Sequence, residues 1–193
     1  MKHLLLITLA FCSTIAFSQA QQGEFLIGAD GSFDSSVTST SFDGDSKTYV
    51  SSGTLGIKGG YFVINKLALG LDLSTTASLQ TNDFNDIELT TTDYNFSPFA
   101  RYYILENRIK PYFEGTIGIG FGNEKRESNF GEFENKFTDF NLGLGAGVAI
   151  FIHKVVSIDL GFNYSFTNRD FRDTDFEDKI NNFSLNAGFS LYL

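Results

Sequence analysis

An all-β fold of eight antiparallel strands is what this sequence predicts. Three observations carry the prediction. Apolar side chains recur at every second position over long stretches, and the connections between those stretches alternate between short and long. The composition is also rich in Phe, Tyr and Gly and nearly free of Pro, with 22 Phe, 8 Tyr, 19 Gly and 2 Pro in 193 residues. Aromatic residues suit a pleated, half-buried surface, and helical periodicity is hard to find.

The N-terminus precedes the strands and reads differently. Met1-Lys2-His3 is a short basic start, and Leu4 to Phe17 is an almost unbroken apolar run. Ser18-Gln19-Ala20 then offers small residues at the −3 and −1 positions of a cleavage site. This is the layout of a cleavable secretory signal peptide, with an apolar run too short to span a bilayer. Phe11 stands before Cys12, where a lipoprotein signal needs a small residue. Residues 1–20 are therefore expected to be the leader and residues 21–193 a single domain. Cleavage removes Cys12, the only cysteine, so neither disulfides nor thiol chemistry are expected. It also removes Lys2, leaving 13 of the 14 basic residues against 23 acidic ones, a net charge of −10. That balance argues against a nucleic-acid partner.

The strands follow in order at 24–35, 48–64, 67–80, 91–105, 110–124, 137–152, 155–168 and 181–193. The third reads Leu67, Leu69, Leu71 and Leu73 against Ala68, Gly70, Asp72 and Ser74. The seventh reads Val156, Ile158, Leu160, Phe162, Tyr164 and Phe166 against Ser157, Asp159, Gly161, Asn163 and Ser165. Period two with one apolar face is the mark of a strand. The connections at Asn65-Lys66, Glu106–Ile109 and His153-Lys154 are short. Those at 36–47, 81–90, 125–136 and 169–180 are long and polar.

Alternation alone does not say which face is inside. The apolar face is continuous in all eight strands and almost free of charge. The polar face is rich in Gly, Ser, Asn and Asp, which suits a wet or small-residue interior. Together these favour an up-and-down transmembrane β-barrel with its apolar face outward. Aromatic placement agrees. Phe33, Tyr94, Phe121, Phe140, Phe166 and Phe183 fall on the apolar parity near the long loops. Phe25, Tyr61, Tyr102, Phe113 and Phe189 fall on it near the short turns. Two such belts are expected at two membrane interfaces.

The chain ends in Asn186-x-Gly188-x-x-Leu191-x-Leu193. This resembles the C-terminal insertion signal of Gram-negative outer-membrane proteins, although Leu193 stands where Phe or Trp is usual. On this motif and the strand layout, the sequence resembles the small eight-stranded outer-membrane β-barrel family that includes OmpX, the OmpA transmembrane domain and OmpW. The resemblance implies outer-membrane localisation, extracellular long loops and periplasmic mature termini. It implies a monomer in contact with outer-membrane lipid and lipopolysaccharide, assembled by the outer-membrane barrel assembly machinery.

Interior charges should pair by register, because a lone buried charge is costly. Arg101 and Glu114 are symmetric about the turn at Asn107-Arg108, and Lys58 and Asp72 are nearly symmetric about Asn65. Asp30 and Asp159 also face inward, without an assigned partner. By parity, Leu26, Phe62, Phe99, Tyr103, Tyr112, Phe151 and Tyr192 point inward near the short turns and termini, and are expected to form an apolar plug. Gly118, Gly120 and Gly122 are expected to lie beside Gly143, Gly145 and Gly147, leaving a bare patch of inner wall. The patch would admit bulky side chains from the opposite strands, permit sharp barrel curvature or line a narrow cavity, any pocket opening outward above the plug.

Catalysis and cofactor binding are not expected. The only His after the leader is His153, in a short turn. The acidic loop residues, Asp83, Asp86 and Asp170 to Asp178, have neither His nor Cys beside them. "DGD" at 43–45 and "DTDFED" at 173–178 do not have EF-hand spacing, so no metal site is assigned. The loops carry Phe42, Phe84, Phe130, Phe133, Phe171 and Phe176, which would contact a partner surface or pack on one another. Two functions fit: a structural or adhesion-like surface barrel, or an OmpW-like channel for small or hydrophobic solutes.

Overall fold

A computed structural model describes residues 20–41, 45–82, 87–105, 107–128, 131–171 and 177–193. The predicted leader, apart from Ala20, lies outside the described residues. Eight strands close into one barrel: β1 (Phe25–Ser41), β2 (Asp45–Ile64), β3 (Leu67–Asn82), β4 (Ile87–Tyr103), β5 (Ile109–Ser128), β6 (Gly131–His153), β7 (Val156–Phe171) and β8 (Glu177–Tyr192). Each strand pairs antiparallel with its sequence neighbour, and β8 returns to β1. Closure pairs β1 with β8, the two edges that an open sheet could not leave bare in lipid.

The facing follows the pleat. In β3, Ala68 is buried while Leu69, Leu71 and Leu73 are exposed. In β7, Ser157 and Asp159 are buried between exposed Ile158 and Leu160. The apolar side chains thus point out and the polar ones in. Of the eleven aromatic belt positions, ten are exposed on the outer surface, and Phe166 is half-buried.

The strands run further than the alternation predicted. Long connections were expected at 36–47, 81–90, 125–136 and 169–180, yet paired strand occupies most of each stretch. The β5–β6 ladder continues to Ser128 opposite Gly131, and β1–β2 to Ser41 opposite Asp45. The cause is environmental. Above the aromatic belt both faces of a strand meet water, so the apolar parity disappears while the backbone ladder persists.

The turns at the opposite end are tight. Lys66 adopts a left-handed φ of 72° in the Asn65-Lys66 turn, with a register irregularity between Phe62 and Ile64. The last turn is Lys154-Val155, one residue beyond the expected position. A second irregularity between Phe151 and His153 absorbs the difference.

Candidate functional site

The lumen is built in layers from the tight-turn end upward. At the bottom, Leu26, Phe62, Phe99, Tyr103, Tyr112, Phe151 and Tyr192 are all buried, with Ala68 and Ala149 beside them. They come from β1, β2, β4, β5, β6 and β8, each at an inward position near its turn-side end. The rings interlock. Phe151 and Tyr192 have centroids 4.8 Å apart, Tyr103 and Tyr112 5.8 Å, and Phe62 and Tyr103 5.9 Å. Tilted arrangements of this kind are the favoured geometry of aromatic pairs. The Tyr103 and Tyr192 hydroxyls meet at 2.9 Å, so the phenols satisfy each other inside the apolar layer.

Directly above lies a charge network spanning the lumen. Arg101 Nε donates to Glu114 Oε2 at 2.6 Å, and Arg101 Nη1 donates to Asp159 Oδ2 at 2.8 Å. Lys58 Nζ lies 3.1 Å from Glu114 Oε1, 3.1 Å from Asp30 Oδ2 and 3.4 Å from Asp72 Oδ2. Glu114 is the link, with one oxygen on each cation. Ser157 and Ser190 hydroxyls donate to Asp159 at 2.5 and 2.8 Å. The cations also sit on the rings beneath them, Arg101 4.2 Å above Tyr112 and Lys58 5.6 Å from Phe99. Two cations thus hold four carboxylates. A cavity of about 30 Å³ among these groups is large enough for a water or two.

The two ion pairs expected from symmetry, Arg101 with Glu114 and Lys58 with Asp72, are direct register partners. Asp30 and Asp159, left without partners by the sequence, complete the network. Hairpin symmetry reveals only adjacent-strand pairs. Lys58 to Glu114 and Arg101 to Asp159 cross the lumen, where barrel closure alone makes neighbours.

A second polar layer lies nearer the loops. Arg169 grips Asp139 with two bonds of 2.9 Å each and lies 3.6 Å from Asp93. Its guanidinium stacks 3.7 Å from the Phe137 ring. Below it, Asn141 donates to Asn95 at 2.5 Å and accepts from Thr167 at 2.5 Å. Sequence reasoning missed this layer because Arg169 was expected in a loop. The parity of Asp93 with Arg101, and of Asp139 with Gly143, was the available signal.

The glycines do not form a bare patch. Gly118, Gly120 and Gly122 pair with Asn141, Asp139 and Phe137, whereas Gly143, Gly145 and Gly147 pair with Thr116, Glu114 and Tyr112. The two trios are displaced along the ladder, and their missing side chains make room for neighbours. A Cβ on Gly147 would land on the Tyr112 hydroxyl, one on Gly143 on Thr116, and one on Gly122 on Phe137. The glycines do make room for larger groups, but these come from neighbouring strands and not, as expected, from the opposite ones.

At the closing seam, Asn186, Gly188 and Leu191 lie on β8 and Leu193 just beyond it. Leu193 N–H donates to the Phe25 carbonyl at 2.9 Å. His153 is exposed at the end of β6. Among the loop positions, Phe133 is exposed and Phe171 packs against Phe137 at 5.9 Å. Phe42, Phe84, Phe130 and Phe176, and Asp43, Asp83, Asp86, Asp173 and Asp175, lie outside the described residues.

A closed antiparallel ring with an apolar exterior, aromatic side chains at two levels and a charged interior defines an integral β-barrel of a membrane. The chain belongs to the family described as outer membrane protein beta-barrel domain, whose model matches residues 4–190. Its place is accordingly the outer membrane. Similar solved structures are small outer-membrane barrels. Neisserial surface protein A is 18% identical, with 88% of this chain and 97% of that one covered and a TM-score of 0.57. OprG of Pseudomonas aeruginosa is 13% identical, with 93% and 98% covered and a TM-score of 0.57. Ail, the attachment invasion locus protein of Yersinia pestis, solved with the heparin analogue sucrose octasulfate, is 20% identical, with 89% and 100% covered and a TM-score of 0.50. At these identities the likeness concerns the fold. No curated protein sequence matches the chain.

Proposed function

We propose that this protein is a non-enzymatic outer-membrane barrel with a structural or surface-interaction role, and that its axis is closed to ions. The observation that carries the reading is the turn-side layer, where Leu26, Phe62, Phe99, Tyr103, Tyr112, Phe151 and Tyr192 are buried against one another. An eight-stranded barrel is only just wide enough for its own side chains. Rings at van der Waals contact across such a tube act as a plug, and the charge network above them is bound to itself.

In this reading the leader is cleaved after Ala20, the termini and tight turns are periplasmic, and the long hairpins face outward. The Asn186, Gly188, Leu191 and Leu193 positions serve as the insertion signal for the assembly machinery. The monomeric barrel contacts lipid and lipopolysaccharide. Similar folds named for surface and attachment roles, in Neisseria and Yersinia, are in keeping with a docking barrel.

Planar-bilayer recording of the refolded barrel tests the proposal. Wild type is expected to show no stable conductance, and Phe62→Ala combined with Phe151→Ala to raise it. Steady wild-type channels would overturn the reading in favour of an OmpW-like channel for small or hydrophobic solutes.

A further inference from the structure

The ladder that closes the barrel is short. Among the described residues, β1 pairs with β8 only from Leu26 opposite Tyr192 to Gly31 opposite Ala187. Both strands continue, β1 to Ser41 and β8 back to Glu177, and each keeps its other neighbour over its length. The seam therefore forks partway up the wall.

The register identifies the groups that the fork leaves over. Phe25 and Leu193 exchange both backbone bonds, at 2.7 and 2.9 Å. Exchange recurs at every second pair of an antiparallel ladder. It therefore falls at Ile27 with Leu191, Ala29 with Phe189 and Gly31 with Ala187, and the next pair in the series is Phe33 with Leu185. Those two residues turn their N–H and C=O groups towards the fork without a ladder partner across it. Phe33 and Phe183 belong to the loop-side aromatic belt, so the fork begins within the apolar band. Unpaired backbone is not tolerated in hydrocarbon, at a cost of several kcal/mol per group.

Outside the fork lies an open recess of about 610 Å³ walled by Phe33, Leu55, Leu160, Leu185 and Ala187. Phe33, Leu55 and Leu185 are among the most exposed apolar side chains of the molecule, at 74%, 71% and 68%. Ser32, Thr54 and Asn186 border the same recess. It thus combines an apolar wall with unpaired amide groups at the depth of the outer interface. Only a molecule dissolved in the membrane reaches such a place. The occupant that satisfies both features has a hydrocarbon chain beside a neutral hydrogen-bonding group.

We propose that the β1–β8 fork is a lateral binding site for a membrane amphiphile, one acyl chain lying in the Phe33–Leu185 recess and its ester or hydroxyl groups bonding the free backbone of Phe33 and Leu185. The site faces the bilayer, is separate from the plugged axis and stands whether or not the barrel conducts.

The test uses the refolded mature barrel in maltoside micelles doped with a lysophosphatidylcholine, read by native mass spectrometry. Wild type is expected to retain one lysophospholipid after the detergent is stripped. Ala187→Trp fills the recess from the lipid side and should lower the retained fraction at least tenfold. Leu144→Trp, on β6 and outside the recess, should leave it unchanged. Ser32→Cys with Asn186→Cys, the first pair beyond the ladder, forms a disulfide only when the two strands are drawn together, and so locks the fork shut. The oxidised form should lose the lipid and reduction should restore it. Equal retention by wild type and Ala187→Trp, or none by wild type, overturns the proposal. So does a bound second barrel that Ala187→Trp removes, which would mark the fork as a strand-capturing edge.

Discussion

Replacing Arg101 with Met probes the centre of the charge network. Arg101 is 3% exposed and holds Glu114 and Asp159 at 2.6 and 2.8 Å. Breaking a buried pair by removing one partner costs about 3–5 kcal/mol. The lower end applies here. Glu114 keeps Lys58 at 3.1 Å, and Asp159 keeps the Ser157 and Ser190 hydroxyls. A cost of about 3 kcal/mol is therefore expected, most of it from an Asp159 that has lost its cation. Adding Asp159→Asn removes that charge while leaving an oxygen for the serines, so the double variant should recover about 1–2 kcal/mol of the loss. Urea titration in phospholipid vesicles, read by the mobility of folded and unfolded forms on unheated gels, gives the four stabilities of the cycle. A coupling energy below about 0.5 kcal/mol, the additivity expected of residues that do not meet, would refute the network as drawn.

Leu144 is 73% exposed on the outer wall, so Leu144→Arg should cost about 2–4 kcal/mol in the same vesicle titration, whereas a folding yield and stability equal to wild type would reverse the facing. Gly147→Ala places a methyl group on the Tyr112 hydroxyl and the Leu160 carbonyl, and overpacking of this kind should lower stability by about 1–3 kcal/mol. Arg169→Lys keeps the charge but loses the two-bond grip on Asp139, so it should destabilise the barrel measurably, and no change in the urea midpoint would assign that layer no structural weight. N-terminal sequencing of protein from the outer-membrane fraction should begin at Gln21, and Met1 retained on the inserted barrel would refute cleavage.

The outer wall was legible because the membrane enforces one rule on every strand. Leu69, Ile119, Leu144 and Leu160 must face lipid, and a period of two records that directly. The turn-side interior was legible for the same reason, since the period of two runs down each strand as far as the irregularities beside the turns. Hairpin symmetry likewise gave Arg101 opposite Glu114. What the sequence hid depends on closure or on the loss of environment. No local pattern links Lys58 to Glu114, which are 56 positions apart and on non-adjacent strands. Arg169 was hidden because the strand around it rises above the belt, where both faces are polar. The offset of the two glycine trios was hidden because parity fixes the face of a residue and not its height against the next strand. The β1–β8 fork is the same case, being a matter of where pairing stops rather than of which residues could pair.

The continuation of strand pairing past the aromatic belt has a thermodynamic consequence for whatever meets this surface. From Phe121 to Ser128 the β5–β6 ladder rises roughly 24 Å along the strand, at about 3.4 Å per residue. What projects from the membrane there is hydrogen-bonded sheet, anchored in the same barrel wall that crosses the bilayer. A ligand touching Phe133 or Lys125 meets groups whose backbone freedom was already surrendered when the barrel closed. Ordering a flexible loop is one of the main costs of association, so a prearranged rim gives up less on binding. Its selectivity should therefore come from fixed spacing between charges and rings, and it should favour rigid, repetitive partners over ones that need the barrel to adapt.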